Sequence, residues 1–510
     1  MNRRLAALRS VTIVSVATYI EYALGLLMSV WIARALGPAD FGRYAFTVWL
    51  CGWLLVCSNH ALTTSSMKFI AEAEGAGRPD IASHISHRLS RAQHLSSLVV
   101  ISLFLIVVMF WQPSEWHDFL FPATLLVVIA VAAKANYAML VAIAKGQEHF
   151  ETEAIATVVA GVIGVGLIVA AAFAHVGLLG FVALFAVACL MLNVINRMAY
   201  RHYCKPFSAG PVPDDISERL RRHLRLTALI VLLGSFKAST IEVFLLNAFS
   251  TSTAVGFFAI AATLTRGAVQ MFSVGLTSTL LPYMARSYGE RGHEHATRLL
   301  AEATRFYWAT GLAIAGIGVI ATPDLVHLMY GNRYTDAIPA IEATLVLAGL
   351  LLIVNGITAF QTVVDRQGDR VRMAVISLAA NAVLGIALIP AFGLTGAVLT
   401  YAGTRLCELA LSIYYLRRAT AWGLPLGPML KLTVIALVAT GLGWWVTDVI
   451  PGRYAFLVGS VLFTVIFLPA SVVMRYWNDD DYRLIGAIAE RLGAPGRWLM
   501  RGLAPWQGAS

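Results

Sequence analysis

The chain has 510 residues, of which 58% are hydrophobic and 13% charged, with a net charge of +10 and a mean hydropathy of +0.73. Soluble domains carry roughly 25% charged residues, so a chain this apolar cannot be a water-soluble globule. Its positive charge is better placed in basic loops on one membrane face than against nucleic acid.

Arg3, Arg4 and Arg9 precede the first apolar run, 11–33. Ala33-Arg34-Ala35 has the small-x-small form of a cleavage site, but the run is too long for a signal-peptide core and reads as a retained span. Thirteen further runs of spanning length follow, near 44–67, 94–112, 119–143, 154–174, 177–196, 226–247, 254–281, 306–323, 343–363, 373–391, 394–416, 432–447 and 454–474. Each approaches the ~20 residues that cross a hydrocarbon layer of about 30 Å. The fold class expected is therefore all-α and polytopic, with about 14 transmembrane helices.

The chain repeats itself. Ala35-Leu36-Gly37-Pro38-Ala39-Asp40-Phe41-Gly42-Arg43-Tyr44-Ala45-Phe46 aligns with 249–260, a shift of 214 that puts Gly42 on Gly256, Tyr44 on Phe258 and Ala45 on Ala259. Gly177-Leu178-Leu179-Gly180 aligns with Gly393-Leu394-Thr395-Gly396 at a shift of 216. Six spans per copy is an even number, so the second copy enters from the same face. That gives two six-helix lobes related by a pseudo-twofold along the membrane normal. The expected divisions are an N-terminal lobe at 1–203, a basic cytoplasmic linker at 204–225, a C-terminal lobe at 226–420, two extra helices at 421–475 and a tail at 476–510. The tail mixes Leu484, Ile485, Ile488, Leu492, Trp498 and Trp506 with Arg483, Arg491, Arg497 and Arg501, as an interfacial amphipathic helix does.

Lysine and arginine orient the bundle. With the N-terminus inside, thirty of the thirty-eight fall on cytoplasmic segments and only Arg34, Arg43, Arg333 and Arg453 on the other face. This bias places both termini in the cytoplasm.

Lys134, Lys237, Arg266 and Arg405 lie inside spans, as do Glu21, Glu242 and Glu408. A charge at the bilayer centre costs about 2.5–3.5 kcal/mol even on the mild insertion scale, so such residues face a bundle interior or a wet cavity. Arg405 and Glu408, three apart, share a helix face and can pair. Glu242 has Arg266 as a candidate partner on the next span. Lys237, Arg266 and Lys134 form a cationic set that can hold a phosphate, Arg266 through a bidentate fork; Lys134 can also reach the inner interface. Glu21 has no local partner, and reads as a proton or cation site or as a counter-charge to the lysines. Pro282, Pro323 and Pro390 read as span ends. Gly161, Gly164 and Gly166, and Gly311, Gly316 and Gly318, read as close-packing sites.

No Walker loop is present, so the chain is not expected to hydrolyse ATP. The five cysteines form no Cys-x-x-Cys pair and read as small hydrophobes. His84 and His87 have no third ligand near them, and neither a metal nor a cofactor is expected. The outer loops are too short for the platform of a membrane glycosyltransferase or polymerase, which argues against an enzyme.

The segment Arg34 to Tyr44, the fourteen-span plan, the repeat and Asp365-Arg366-Gln367-Gly368-Asp369 resemble the Wzx-type polysaccharide and O-antigen flippases of the multidrug/oligosaccharidyl-lipid/polysaccharide exporter superfamily. The resemblance implies two lobes around a central cavity and transfer of an undecaprenyl-pyrophosphate-linked oligosaccharide between leaflets of the bacterial inner membrane by alternating access. It implies that cavity lysines and arginines, here Lys237, Arg266 and Lys134, receive the pyrophosphate. Glu21 or Glu242 would couple an ion or proton, and Arg34, Asp40, Gly42, Arg43 and Tyr44 would form the outer gate turn. The last two helices would groove the lipid tail. Glu21 stands where the related peptidoglycan-precursor flippase carries a basic residue. Implied partners are the lipid-linked oligosaccharide, membrane lipids and polymerase or co-polymerase machinery. A drug/cation antiporter of the same superfamily is the alternative; its cavity would be dominated by acidic residues and its bundle would have twelve spans.

Overall fold

The computed structural model describes residues 3–477 except 60, 111–115, 117–118, 239–240, 365, 421–423, 451, 453 and 475. The amphipathic tail expected around Leu484–Trp506 lies outside the described residues. In chain order the helices are α1 (Arg3–Asn59), α2 (Leu62–Gly75), α3 (Pro79–Phe110), α4 (Leu120–Gly146), α5 (Glu151–Phe173), α6 (Leu178–Tyr203), α7 (Asp214–Ala238), α8 (Ile241–Phe249) and α9 (Ser252–Met329). A 3-10 turn (Asn332–Ala337) leads into α10 (Ile338–Leu350), α11 (Ile353–Val363), α12 (Gln367–Ala419), α13 (Leu426–Val449) and α14 (Ala455–Val473).

Among the described residues, eleven stretches are long and apolar enough to span a membrane. Two of them, Val16–Asn59 and Gly368–Ala419, cross twice, because α1 breaks at Gly37 and α12 at Gly393. With α7 and α8 supplying the seventh pass, the fourteen passes of the sequence reading are accounted for.

The connection after the first span is tighter than the sequence implies. The turn is one residue, Gly37, at φ 74° and ψ 174°, a region that side chains other than glycine's avoid. Pro38 then opens the next helical segment with its pre-set φ. Asp40, Gly42 and Arg43 are therefore already helical, where a polar loop was expected. In the second copy the same place is held by Thr251, whose hydroxyl caps the Ala254 N–H at 3.2 Å.

Pro282 and Pro323 depart from expectation and lie inside α9, whereas Pro390 stands at a span end, three residues before the break of α12 at Gly393. Bundled membrane helices tolerate proline because neighbours re-satisfy the freed backbone. Most of the glycines behave as expected. Gly161 sits against Leu24, Gly164 against the Met28 methyl, Gly311 against the Gly349 backbone, and Gly316 against Phe463 and Thr440.

The chain divides into two compact units, Met1–Ala259 with Asn381–Ala397, and Ile260–Ala380 with the described part of Val398–Ser510. In the first, Trp116, fully buried, anchors a core with Cys51, Phe104, Val127, Ala130 and Cys189, and its indole N–H donates to Thr47 at 3.0 Å. The linker is part of this unit. Leu220 joins a core with Phe69, Ile70, Ile85, Ile143 and Tyr200, and Phe207, Val212 and Ile216 pack against it. Ser208 and Ser83, Pro211 and His84, and Ser217 and Arg88 are hydrogen-bonded across the seam. His84 thus holds the linker through the Pro211 carbonyl, and His87 lies against Phe207. In the second unit α13 and α14 clamp the latter half of α9. Ile320, Leu432, Ala439, Phe463 and Phe467 form one core, and the Asp324 carboxylate accepts the Phe456 N–H at 3.2 Å.

Candidate functional site

The first unit gathers a polar cluster between α1, α4, α5 and α6. Helix α1 runs alongside α5 in register, with Leu24 at Gly161 and Met28 at Gly164. One helical turn back, Glu21 comes level with Thr157. The antiparallel α4 brings Tyr137 to the same level, where its hydroxyl lies 3.3 Å from that of Thr157. At the end of this hairpin, Lys145 in the last turn of α4 pairs with Glu153 in the first turn of α5 at 2.6 Å. Both charges suit their helix ends electrostatically. The charges of Glu153, Lys134 and Lys145 all bear on Glu21.

Lys134 sits midway along α4, half-buried, about one turn beyond Tyr137. Its ammonium lies 5.8 Å from the centre of the Phe185 ring, a cation–π distance. The lysine therefore does not reach for the helix end, as the sequence allowed; the ring of α6 holds it at mid-helix depth. Beside it the Asn136 amide donates to Asn193 of α6 at 2.7 Å.

Phe185 connects two parts of the sequence reading. Tyr44 meets it edge to face at 6.5 Å, and the two line one apolar crevice with Met28, Leu167, Phe181 and Met191. The outer-turn tyrosine and the mid-helix lysine thus contact a common ring. Asp40 and Arg43 pair one turn apart at 3.5 Å, and both are partly exposed. Arg34 is exposed.

A second polar point lies in the same unit. Glu242, 3% exposed, lies in the first turn of α8. Asn381 donates its amide to Glu242 Oε1 at 2.7 Å. Arg266, exposed on α9, belongs to the other unit. Lys237 lies on α7, and its side chain is outside the described residues. Arg405 pairs with Glu408 at 3.0 Å and stacks over Tyr401 at 5.2 Å, the i,i+3 pair expected from spacing.

Lys145, Glu153, Tyr137, Thr157, Asn136, Asn193 and Phe185 were not singled out in the sequence. Lys145 and Glu153 look like ordinary loop charges, and the other contacts join helices far apart in the chain. The one local signal is the opposite charge of Lys145 and Glu153 on either side of a short turn. Among the described residues no three His, Cys, Asp or Glu side chains gather as a metal set. The cluster has the chemistry to hold an anion at Lys134 and a proton at Glu21, and Glu242 is a second carboxylate that can hold a proton.

The fold and these half-buried charges are those of an all-α polytopic membrane protein, and one of the solved structures it resembles is of the multidrug/oligosaccharidyl-lipid/polysaccharide superfamily. The structure is similar to that of the lipid II flippase MurJ in an inward closed conformation, with a TM-score of 0.71 at 13% identity, over 90% of this chain and 98% of that one. It is also similar to an inward-facing multidrug resistance MATE transporter of that superfamily (TM-score 0.61, 16% identity, 81% and 98% covered) and to the Vibrio cholerae MATE transporter VcmN (0.54, 14%, 82% and 98%). At such identities these likenesses are of fold. The family is shown by sequence: the model of the polysaccharide biosynthesis protein family matches residues 7–288, and the chain belongs to that family. No curated protein matches it.

Proposed function

We propose that this protein flips a polyprenyl-pyrophosphate-linked oligosaccharide, a precursor of exopolysaccharide or O-antigen, across the bacterial inner membrane by alternating access. Lys134 carries the reading. It is a cation held at mid-helix depth by an aromatic ring, where a head-group phosphate can reach it. Lys237 and Arg266 are further candidates for that phosphate, and Glu21 or Glu242 for the coupling proton or ion. The family supports a role in polysaccharide synthesis, and the fold shared with a lipid II flippase supports a lipid-linked cargo. No bond is made or broken. The protein lowers the cost of carrying a charged head group through hydrocarbon. Both termini lie in the cytoplasm on this reading, and the polymerase machinery receives the product on the other face.

The drug/cation antiporter reading draws less support: the MATE structures cover less of the chain, and a lysine in the polar cluster repels a cationic drug. Complementation of a flippase-deficient strain tests the proposal. Lys134→Ala, Lys237→Ala and Arg266→Ala are each expected to abolish it at normal membrane abundance. Full activity in the Lys237→Ala/Arg266→Ala double variant would remove those two from the pyrophosphate site.

A further inference from the structure

The charge of Lys134 bears on Glu21, after that of Glu153. The register of α1 on α5, Leu24 at Gly161 and Met28 at Gly164, sets Glu21 at the level of Thr157 and Tyr137. Lys134 is about one turn further along α4, on the same polar seam. Lys145, the other cation of the seam, is already paired with Glu153 at 2.6 Å. Glu21 is exposed and Lys134 half-exposed, so a ligand can approach both.

We propose that Glu21 is a built-in rival of the substrate's phosphate for Lys134, so that anion binding at Lys134 and proton binding at Glu21 are thermodynamically linked. This rests on the reading of Lys134 as a head-group binder. With Glu21 ionised, its charge offsets that of the lysine and repels a phosphate. With Glu21 protonated, Lys134 is left for the phosphate, and the phosphate in turn favours the proton. Linkage is reciprocal: each ligand raises the affinity of the other by the same factor. The coupled species is a proton travelling with the anionic head group, and loss of the proton promotes release.

The charged and titratable groups near Glu21 are Lys134, Tyr137 and Lys145 from α4 and Glu153 from α5. Lys145 and Glu153 are paired with each other, and of the remaining charges Lys134 bears on Glu21.

The test uses the full-length protein in lipid nanodiscs with farnesyl pyrophosphate as probe. Calorimetry from pH 5.5 to 8.5, in buffers of different ionisation heat, reads both affinity and protons taken up per probe bound. The probe's own titration is common to all variants, so differences between variants report the protein. Wild type is expected to weaken as pH rises and to take up protons on binding. Glu21→Gln is expected to bind about tenfold tighter than wild type at pH 8, with a flatter pH profile and lower proton uptake. Lys134→Gln is expected to lose binding throughout. If Lys134→Gln binds the probe as wild type does, the head-group reading of Lys134 fails and the linkage with it. If Lys134→Gln loses binding while Glu21→Gln keeps the wild-type profile and proton uptake, the head-group reading stands and the linkage alone is overturned.

Discussion

Gly42 and Gly256, equivalent positions of the internal repeat 214 residues apart, lie against each other backbone to backbone. A Cβ built on Gly42 would enter the Ser252 carbonyl and come 3.0 Å from the Gly256 nitrogen. One built on Gly256 would meet the Pro38 carbonyl and stand 3.1 Å from the Gly42 nitrogen. This contact brings the two copies of the repeated segment together within one unit. Phe46, Val255 and Phe258 pack close by in one buried core.

Substitution at either glycine is therefore expected to be costly. Gly42→Val forces a backbone shift rather than a rotamer change, and overpacking of this kind costs about 1–3 kcal/mol or more. The melting midpoint of the purified protein in detergent should drop by several degrees, with lower membrane abundance. Gly25→Ala and Gly52→Ala, which have open space around them, should leave the midpoint unchanged.

The contact also shows what sequence could and could not reveal. The repeat was legible because Gly42 and Gly256 hold matching places in two similar segments; that they touch was not, since alignment gives equivalence and not proximity. The spans were legible because each is a run of spanning length, and Arg405 with Glu408 because an i,i+3 spacing fixes a shared face. The partner of Glu242 was not: Asn381 is 139 residues away, and nothing local points to it. The polar cluster was hidden for the same reason. Four helices contribute to it, and Lys145 and Glu153 resemble solvated loop charges until the hairpin closes them at 2.6 Å.

Asn381→Ala is expected to disturb Glu242 without removing its charge. The carboxylate is 3% exposed and loses a 2.7 Å amide donor. Depriving a buried acceptor of a partner costs about 1–3 kcal/mol. Glu242→Gln can keep a hydrogen bond to Asn381 and removes the charge, so it should retain most of the stability and lose pH-dependent transport. Thermal midpoints, with transport into vesicles under an imposed pH gradient, distinguish the two effects.

The linker should loosen in acid. His223 stands 5.5 Å from the Phe69 ring, with Lys68 and Arg219 over the same ring and Arg219 paired to Glu72 at 2.9 Å. Burial first, and then the Lys68 charge, hold the His223 pKa below its ordinary value of 6.5. A group whose folded pKa is depressed contributes stability that is fully present above its unfolded pKa and lost as pH falls through the folded one. Docking of 204–225 should thus be firm at pH 7.5 and weaker near pH 5. Amide exchange over these residues is expected to quicken in acid, and His223→Gln to reduce that difference.

The last two helices should depend on their hold on α9. Gly443 and Gly459 let α13 and α14 cross with their backbones close, each Cβ position falling within 2.8 Å of the other's carbonyl oxygen, and the Ile320 side chain of α9 fills the notch between them. Trp308 adds a donor to the Met429 carbonyl at 3.2 Å, and the Tyr476 hydroxyl one to the Arg305 carbonyl at 2.9 Å. Association of helices in lipid rests on such close packing, because hydrocarbon supplies no hydrophobic drive. Gly443→Leu should separate the hairpin from Ile320 and speed trypsin cleavage at Arg453. Asp324→Ala removes only the acceptor for the Phe456 N–H and should cost about 1 kcal/mol, the usual value of a lost cap. A hairpin that stays protected in Gly443→Leu would mean that the hydrogen bonds, rather than the glycine crossing, hold it to α9.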